Sequence, residues 1–208
     1  MKRTAYLLTG NENSERTLFS KNILETIGFC VKCIIYIPNE DKVLSNKISM
    51  QYIYELISNT EFESNEFAYV FEDDINMIEP ISIDEIILYE NISEMFFYLG
   101  MCENISETFL EMCENGYNII KTDNIINNNV VYKRSGNARG LHAISLSKKG
   151  ATELLKLSKE STHKYMDMIL EEFSLLYPAN VVRYDLSSYI FGHRGIIFQD
   201  RDRFPSTI

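Results

Sequence analysis

No stretch of the 208-residue sequence approaches the roughly 18 apolar residues of a membrane-crossing helix, so no membrane span is expected. Positive charge is the scarcer sign: 20 Lys and Arg stand against 30 Asp and Glu, a net charge of −10. A broad duplex-binding face needs clustered Lys and Arg, so nucleic acid is not an expected partner. The same balance disfavours an anionic membrane surface, while a local basic pocket for one phosphorylated ligand remains compatible with it. Cysteine is sparse too. Cys30-Val31-Lys32-Cys33 has redox or zinc spacing, but no second C-x-x-C or Cys/His pair completes a site. Cys30, Cys33, Cys102 and Cys113 are therefore read as structural thiols of a reducing compartment. The apolar run after Lys2 and Arg3 is too short for a signal peptide, and a cytoplasmic location is the expectation.

Phosphate-binding and nucleophile motifs are also missing. There is no G-x-x-x-x-G-K-[ST], no G-x-G-x-x-G and no G-x-S-x-G. Asp74-Ile75-Asn76 does not fit the D-x-D-x-[TV] pattern of an aspartyl nucleophile. What is present is a folding composition, 45% hydrophobic and 24% charged, which excludes wholesale disorder. The length and the lack of a linker or repeat suit one domain over 1–208.

Strands and helices alternate in the first half. Thr4 to Thr9 reads as a strand. Ser14 caps a helix with Leu18, Phe19, Ile23, Leu24 and Ile27 at about a 3.6-residue period, ended by Gly28. Val31 to Ile37 is a second strand. Ser45 opens a second helix that turns Ile48, Tyr52, Ile53, Leu56 and Ile57 inward. Phe67 to Phe71 is apolar throughout, as suits a buried parallel strand. The second half reads as strands at Glu94–Leu99 and Leu141–Leu146, and a short helix at Ser106–Glu114. Loops are expected at Asn124–Asn129 and Ser135–Gly140. Helices follow Ser147 and Ser161 or Thr162, and the tail from Gly192 is polar and basic. This order predicts an α/β fold with an open, mixed but mostly parallel sheet flanked by helices. Ligands of such sheets sit at the carboxyl ends of strands, which singles out the loops after Thr9 and after Phe71.

The second of those loops begins Glu72-Asp73-Asp74. Three adjacent carboxylates repel one another unless a cation is present, and a hard ion such as Mn²⁺ or Mg²⁺ suits oxygen ligands. The plain alternative is a solvated acidic turn.

The apolar strand with its acidic triplet resembles the metal-binding motif of GT-A glycosyltransferases, and further segments resemble glycosyltransferase family 25 in order. Tyr6-Leu7-Leu8 followed by Arg16 is similar to that family's opening strand and helix-start arginine. Phe96-Phe97-Tyr98-Leu99-Gly100 is similar to its strand ending in L-G. Gly140-Leu141-His142-Ala143-Ile144-Ser145-Leu146-Ser147-Lys148-Lys149-Gly150-Ala151 resembles its G-x-H-A-Y-x-I-S-x-K-G-A segment, with Ile144 in place of the aromatic. Met166-Asp167 resembles its V-D pair.

The resemblance implies a GT-A-like nucleotide-sugar-binding fold. It further implies a UDP-sugar donor, a glycan or glycoprotein acceptor, and transfer of a hexosyl or deoxyhexosyl group with Mn²⁺ or Mg²⁺. Asp74, with Glu72 and the late His193, would hold the metal. Asp73 would meet ribose or sugar, and Thr9, Gly10, Arg16 and Arg139 would line the donor, Arg16 being otherwise a surface helix residue. Asp167, at a helix start, would be the base of an inverting enzyme or bind sugar hydroxyls in a retaining one. Arg194, Arg201 and Arg203 either gather diphosphate charge or form a solvated tail, and His142 reads as a satisfied core residue. Rival readings are a nucleotidyltransferase and a non-catalytic nucleotide- or glycan-binding module.

Overall fold

The computed structural model describes residues 3–61, 66–103, 118–136, 138–184 and 193–205, apart from the side chains of 103, 118 and 138–141. The expected alternation opens the chain: β1 (Thr4–Thr9), α1 (Glu15–Ile27), β2 (Cys30–Ile35), α2 (Lys42–Asn59) and β3 (Phe67–Glu72). Ser14 caps α1 by accepting from the Thr17 amide, and Gly28 closes it at φ 114°. Helix α2 starts earlier than expected because Asp41, rather than Ser45, accepts from the Val43 and Leu44 amides.

The remaining elements are β4 (Ile75–Met77), α3 (Ile83–Glu90), β5 (Phe96–Glu103), β6 (Asn118–Ile126) and β7 (Asn129–Ser135), then β8 (Ala138–Ser147), α4 (Lys148–Glu160), α5 (Met166–Leu176), β9 (Ala179–Val181), β10 (His193–Gly195) and β11 (Ile197–Gln199). Two expected loops are tighter than the sequence suggested. Asn127 and Asn128 alone turn β6 into β7, at φ 48° and 66°, a conformation that asparagine tolerates better than most residues. Ser135 still belongs to β7, and β8 already begins at Ala138. The tail is not a plain polar segment, since it forms β10 and β11. Helix α5 is capped by Tyr165, without a side-chain bond, rather than by Ser161 or Thr162. The helix expected at Ser106–Glu114, and Cys113 with it, lie outside the described residues.

Sheet order is β2-β1-β3-β8-β5-β9-β7-β6, with β10 added beside β5, and β4 and β11 pair apart. β1 runs parallel to β2 and β3, and β5 parallel to β9. The β3–β8, β5–β8, β7–β9, β6–β7 and β5–β10 pairs are antiparallel. The expectation of a mostly parallel sheet is therefore corrected: the sheet is mixed and mostly antiparallel. Parallel neighbours require a crossover, usually helical. Helices α1 and α2 supply crossovers in the first half, whereas the Asn127–Asn128 turn reverses the chain directly. β3 is buried as expected, but it is parallel on one side only, with β8 antiparallel on the other.

Alternation along the strands sorts the core into two faces. Tyr6, Leu8, Ala68, Val70, Tyr98, Ile144 and Leu146 pack under α2, α4 and α5. Ala5, Leu7, Tyr69, Phe71, Phe97, Leu99 and Ala143 pack under α1 and α3. Each large apolar side chain fully buried this way contributes about 1.5–3 kcal/mol. The expected helix faces are rotated in two places. Leu18 is 52% exposed and Tyr52 44% exposed, while Thr17, Ser20, Asn46 and Ser49 are buried instead. Thr17 and Ser20 turn inward toward Asp73, and Ser49 turns inward to accept from the Ile37 amide.

The last strands strap that end of the sheet. The Asp200 amide donates to the Asp74 carbonyl at 2.7 Å, and the Ile196 amide to Leu99 O at 2.7 Å. Gly100 and Gly195 permit the approach: a Cβ at Gly100 would collide with the Ile197 carbonyl, and one at Gly195 with that of Leu99. Gly195 also takes φ 95°. No helix among the described residues is long and apolar enough to cross a membrane.

Candidate functional site

Glu72, Asp73 and Asp74 lie where β3 ends, next to the carboxyl end of its parallel neighbour β1. Asp73 and Asp74 are buried, at 6% and 4% exposure, which makes their partners decisive. Thr9 Oγ1 donates to Asp73 Oδ2 at 2.6 Å, and Thr17 Oγ1 lies 3.3 Å from the same oxygen. Ser20 Oγ donates to the Asp73 carbonyl at 2.9 Å. Arg16 bridges both aspartates, with Nε 2.8 Å from Asp73 Oδ1 and Nη2 3.2 Å from Asp74 Oδ2. Arg16 Nε makes no hydrogen bond of acceptable angle, so the contact to Asp73 is an ion pair rather than a directed bond. Arg16 is thus a half-buried part of the acidic cluster and not a surface helix residue.

The strap completes the cluster. Gln199 Nε2 donates to Glu72 Oε2 at 2.8 Å, and Arg201 Nη2 donates to Gln199 Oε1 at 3.1 Å. Asn76 Nδ2 donates to Asp200 Oδ2 at 2.9 Å. Among the described residues, one buried oxygen of the cluster, Asp74 Oδ1, makes no well-aligned hydrogen bond. Burial raises the Asp74 carboxyl above its ordinary range, the Arg16 cation opposes this, and Asp73 adds to it. Glu72 is pushed up to about 8, first by burial and then by the charges of Asp74 and Asp167, with Arg201 opposing. The neighbouring Tyr36 hydroxyl is raised as well, by burial and then by the charges of Glu72 and Asp73.

Asp167 stands in the first turn of α5, half-buried, as its sequence position suggested. Its charge is felt by Glu72, Tyr54 and Tyr98, so it belongs to the same corner of the molecule. Thr9 is fully buried and committed to Asp73. Gly10 is exposed, and a Cβ there would meet nothing within 4 Å, so packing does not require glycine. Arg139 lies on β8, but its side chain is outside the described residues. Arg194 sits over the Tyr184 ring at 5.3 Å and Arg203 over the Phe19 ring at 4.0 Å; of the three late arginines, Arg201 reaches Gln199 within the cluster.

His193 is placed differently from the expectation. Among the described residues, the group whose ligand atoms gather within 4.8 Å of one another is Cys102, His142 and His193, with no carboxylate in it. Cys102 Sγ lies 3.4 Å from His193 Nδ1. Burial holds His142 far below the ordinary histidine range, down to about 3, and lowers His193 too. Burial pushes the Cys102 thiol up to about 12. His142 is buried, as expected of a core residue, yet it is not fully satisfied: among the described residues neither ring nitrogen makes a well-aligned hydrogen bond.

Thr17, Ser20, Gln199 and Cys102 are the participants that sequence reasoning missed. Thr17 and Ser20 carried one signal: they interrupt the apolar face of α1 on the side that turns inward. Gln199 carried none, because strand pairing 127 residues away brings it to Glu72. No protein-family model matches the chain, and no curated protein matches it.

Proposed function

We propose that this chain is a metal-assisted glycosyltransferase that moves a hexosyl or deoxyhexosyl group from a UDP-sugar to a glycan acceptor. The observation that carries the reading is Asp74 Oδ1, a buried carboxylate oxygen that makes no well-aligned hydrogen bond among the described residues, beside Glu72, whose own charge is disfavoured there. Oxygen donors of this kind suit Mn²⁺ or Mg²⁺, with Asp74 and Glu72 as the holding residues. When bound, the ion supplies positive charge that favours departure of a diphosphate.

The chain's own residues account for the rest. Arg16 holds Asp73 and Asp74 in place and offers a cation beside the donor, while Thr9 and Thr17 fix Asp73 through their hydroxyls. Asp73, so fixed, meets the ribose or the donor sugar. Gly10 leaves room after β1, and Arg139 remains a candidate donor contact. In transfer, the acceptor oxygen forms the new bond to the anomeric carbon. The bond to the diphosphate oxygen breaks, and its electron pair leaves with UDP. Asp167, in the first turn of α5, takes the acceptor proton as general base.

Thermal unfolding with UDP and Mn²⁺, singly and together, is the first test. A midpoint raised only by the pair is expected, since a ligand selective for the native state stabilises by mass action. UDP release from UDP-sugars should follow, and Asp74→Asn should abolish it while the fold persists. Retained turnover in Asp74→Asn, or no shift with any nucleotide at millimolar levels, overturns the reading. The ion pairs of Arg16 favour a second reading, a module that binds nucleotide or glycan without turnover, because they neutralise the aspartates without a metal. A nucleotide-dependent shift without UDP release would select that alternative.

A further inference from the structure

Cys102, His142 and His193 are far apart in the chain and form no local motif; strand pairing alone assembles them. β10 pairs with β5 so that His193 is the cross-strand partner of Cys102. β8 brings His142 alongside through the neighbouring pair Ala143 and Gly100, where β5 is irregular on both sides of Gly100. Irregularities of this kind re-aim side chains and recur next to functional sites.

A thiol–imidazole hydrogen bond would explain the 3.4 Å contact between Cys102 Sγ and His193 Nδ1, but it leaves the third member unexplained. His142 is 0% exposed, and among the described residues neither of its ring nitrogens makes a well-aligned hydrogen bond. The Ile197 carbonyl lies close enough to favour a proton on the ring, yet no bond of acceptable angle forms. Leaving such a group unmade in a low-dielectric interior costs about 1–3 kcal/mol, so its presence calls for a partner.

We propose that Cys102, His142 and His193 form a binding site for one divalent transition ion, with Zn²⁺ as the best fit, distinct from the carboxylate site at Asp74. One thiolate and two imidazoles are the donor set of Zn²⁺ and not of Mn²⁺ or Mg²⁺. Tetrahedral zinc with ordinary Zn–S and Zn–N distances separates sulfur from nitrogen by about 3.6 Å, close to the gap present between Cys102 and His193. All the ligand atoms of the group already lie within 4.8 Å of one another, so small side-chain movements close the site. A ligating histidine ordinarily gives its other N–H to a carbonyl, and Ile197 O stands in that place beside His142. Glu72, Asp74 and Asp167 contribute negative charge near Cys102, with Arg201 opposing them. Three protein ligands leave a fourth position for water or for a donor from outside the group. The ion would tie β10 to β5 and β8, directly before the strap that carries Gln199 and Asp200. The proposal does not depend on sugar transfer.

The test uses the full chain, stripped with a chelator and titrated with Co²⁺, a spectroscopic substitute for Zn²⁺. One equivalent should produce a near-ultraviolet thiolate-to-cobalt band that Zn²⁺ abolishes. Cys102→Ala should lose the band, and His193→Ala should weaken binding by more than about tenfold, the cost of disturbing even an outer partner of a metal ligand. The double variant Cys30→Ala/Cys33→Ala should keep the band, and so should Asp74→Asn. Circular dichroism checks that each variant folds; Cys102 and His193 are both only half-buried, so either one suffices if the other fails. A folded wild-type chain that gives no cobalt band overturns the proposal. So does a band that survives in Cys102→Ala or disappears in Cys30→Ala/Cys33→Ala.

Discussion

The carboxylate cluster and the Cys102–His142–His193 cluster adjoin one another, yet their buried polar atoms are partnered in opposite ways. The acidic cluster brings its own cation: Arg16 spans Asp73 and Asp74, two threonine hydroxyls face Asp73, and Gln199 caps Glu72. Among the described residues, one oxygen of the cluster, Asp74 Oδ1, makes no well-aligned hydrogen bond. The sulfur–nitrogen cluster is less fully supplied: Cys102 and His193 meet each other, but among the described residues His142 makes no well-aligned hydrogen bond at either nitrogen. Buried charge and buried polarity make different demands. Two buried aspartates cannot wait for a ligand, so the fold provides an arginine for them. A neutral imidazole costs far less to leave open.

The largest effect is expected at Arg16. Arg16→Ala strands two buried carboxylates and should cost about 3–5 kcal/mol, read from urea unfolding at neutral pH. Mn²⁺ should recover more stability in this variant than in the wild type, because both aspartates become available; an equal response would detach the metal from the aspartates. The next effect is a pH slope. Glu72 titrates near 8 when folded and near 4.5 when unfolded, so between those values the native state holds a proton that the unfolded chain releases. Stability from this group is therefore full below about 4.5, falls as pH rises towards 8, and is flat above. Glu72→Gln should reduce that slope, the raised Asp74 carboxyl keeping the remainder, as followed by unfolding midpoints across the range.

A smaller cost is expected on the sulfur–nitrogen side. Gly100→Ala drives a methyl into the Ile197 carbonyl and should destabilise by about 1–3 kcal/mol while loosening the Co²⁺ site, with the acidic cluster's pH slope unchanged. The smallest effect belongs to Gly10→Ala. Its Cβ enters open space, so calorimetry should find stability within about 0.5 kcal/mol of the wild type. A larger loss would show that this position does more than leave room.

The sequence disclosed the parts of the molecule whose causes are local. The cap at Ser14, the stop at Gly28 and the apolar run Phe67 to Phe71 produce their elements through neighbours a few residues away. The acidic end of β3 and the placement of Asp167 in a first helical turn were equally legible. Sheet direction was not, because it depends on whether a helix or a tight turn joins two strands that pair far apart in sequence. The Asn127–Asn128 turn looked like part of a longer loop until β6 and β7 were paired around it. Arg16 was legible as a candidate, but its two ion pairs belong to tertiary structure. His193 went to a different set of partners for the same reason: a strand register decides its neighbours, and no spacing rule reports that register.

The strap also sets a timetable. Glu72 and Gln199 meet across 127 residues, and Asp200 closes on Asp74 over nearly the same span. At a translation rate of roughly 5–20 residues per second, the ribosome needs about 6–25 s to bring the second set of partners after the first has emerged. During that interval β1, α1 and β3 can already pair Arg16 with the aspartates, while Glu72 has no cap and His193 has not yet been made. The acidic corner is thus built early and sealed late, and a nascent chain passes through a long interval in which the charge is in place but neither cluster is complete.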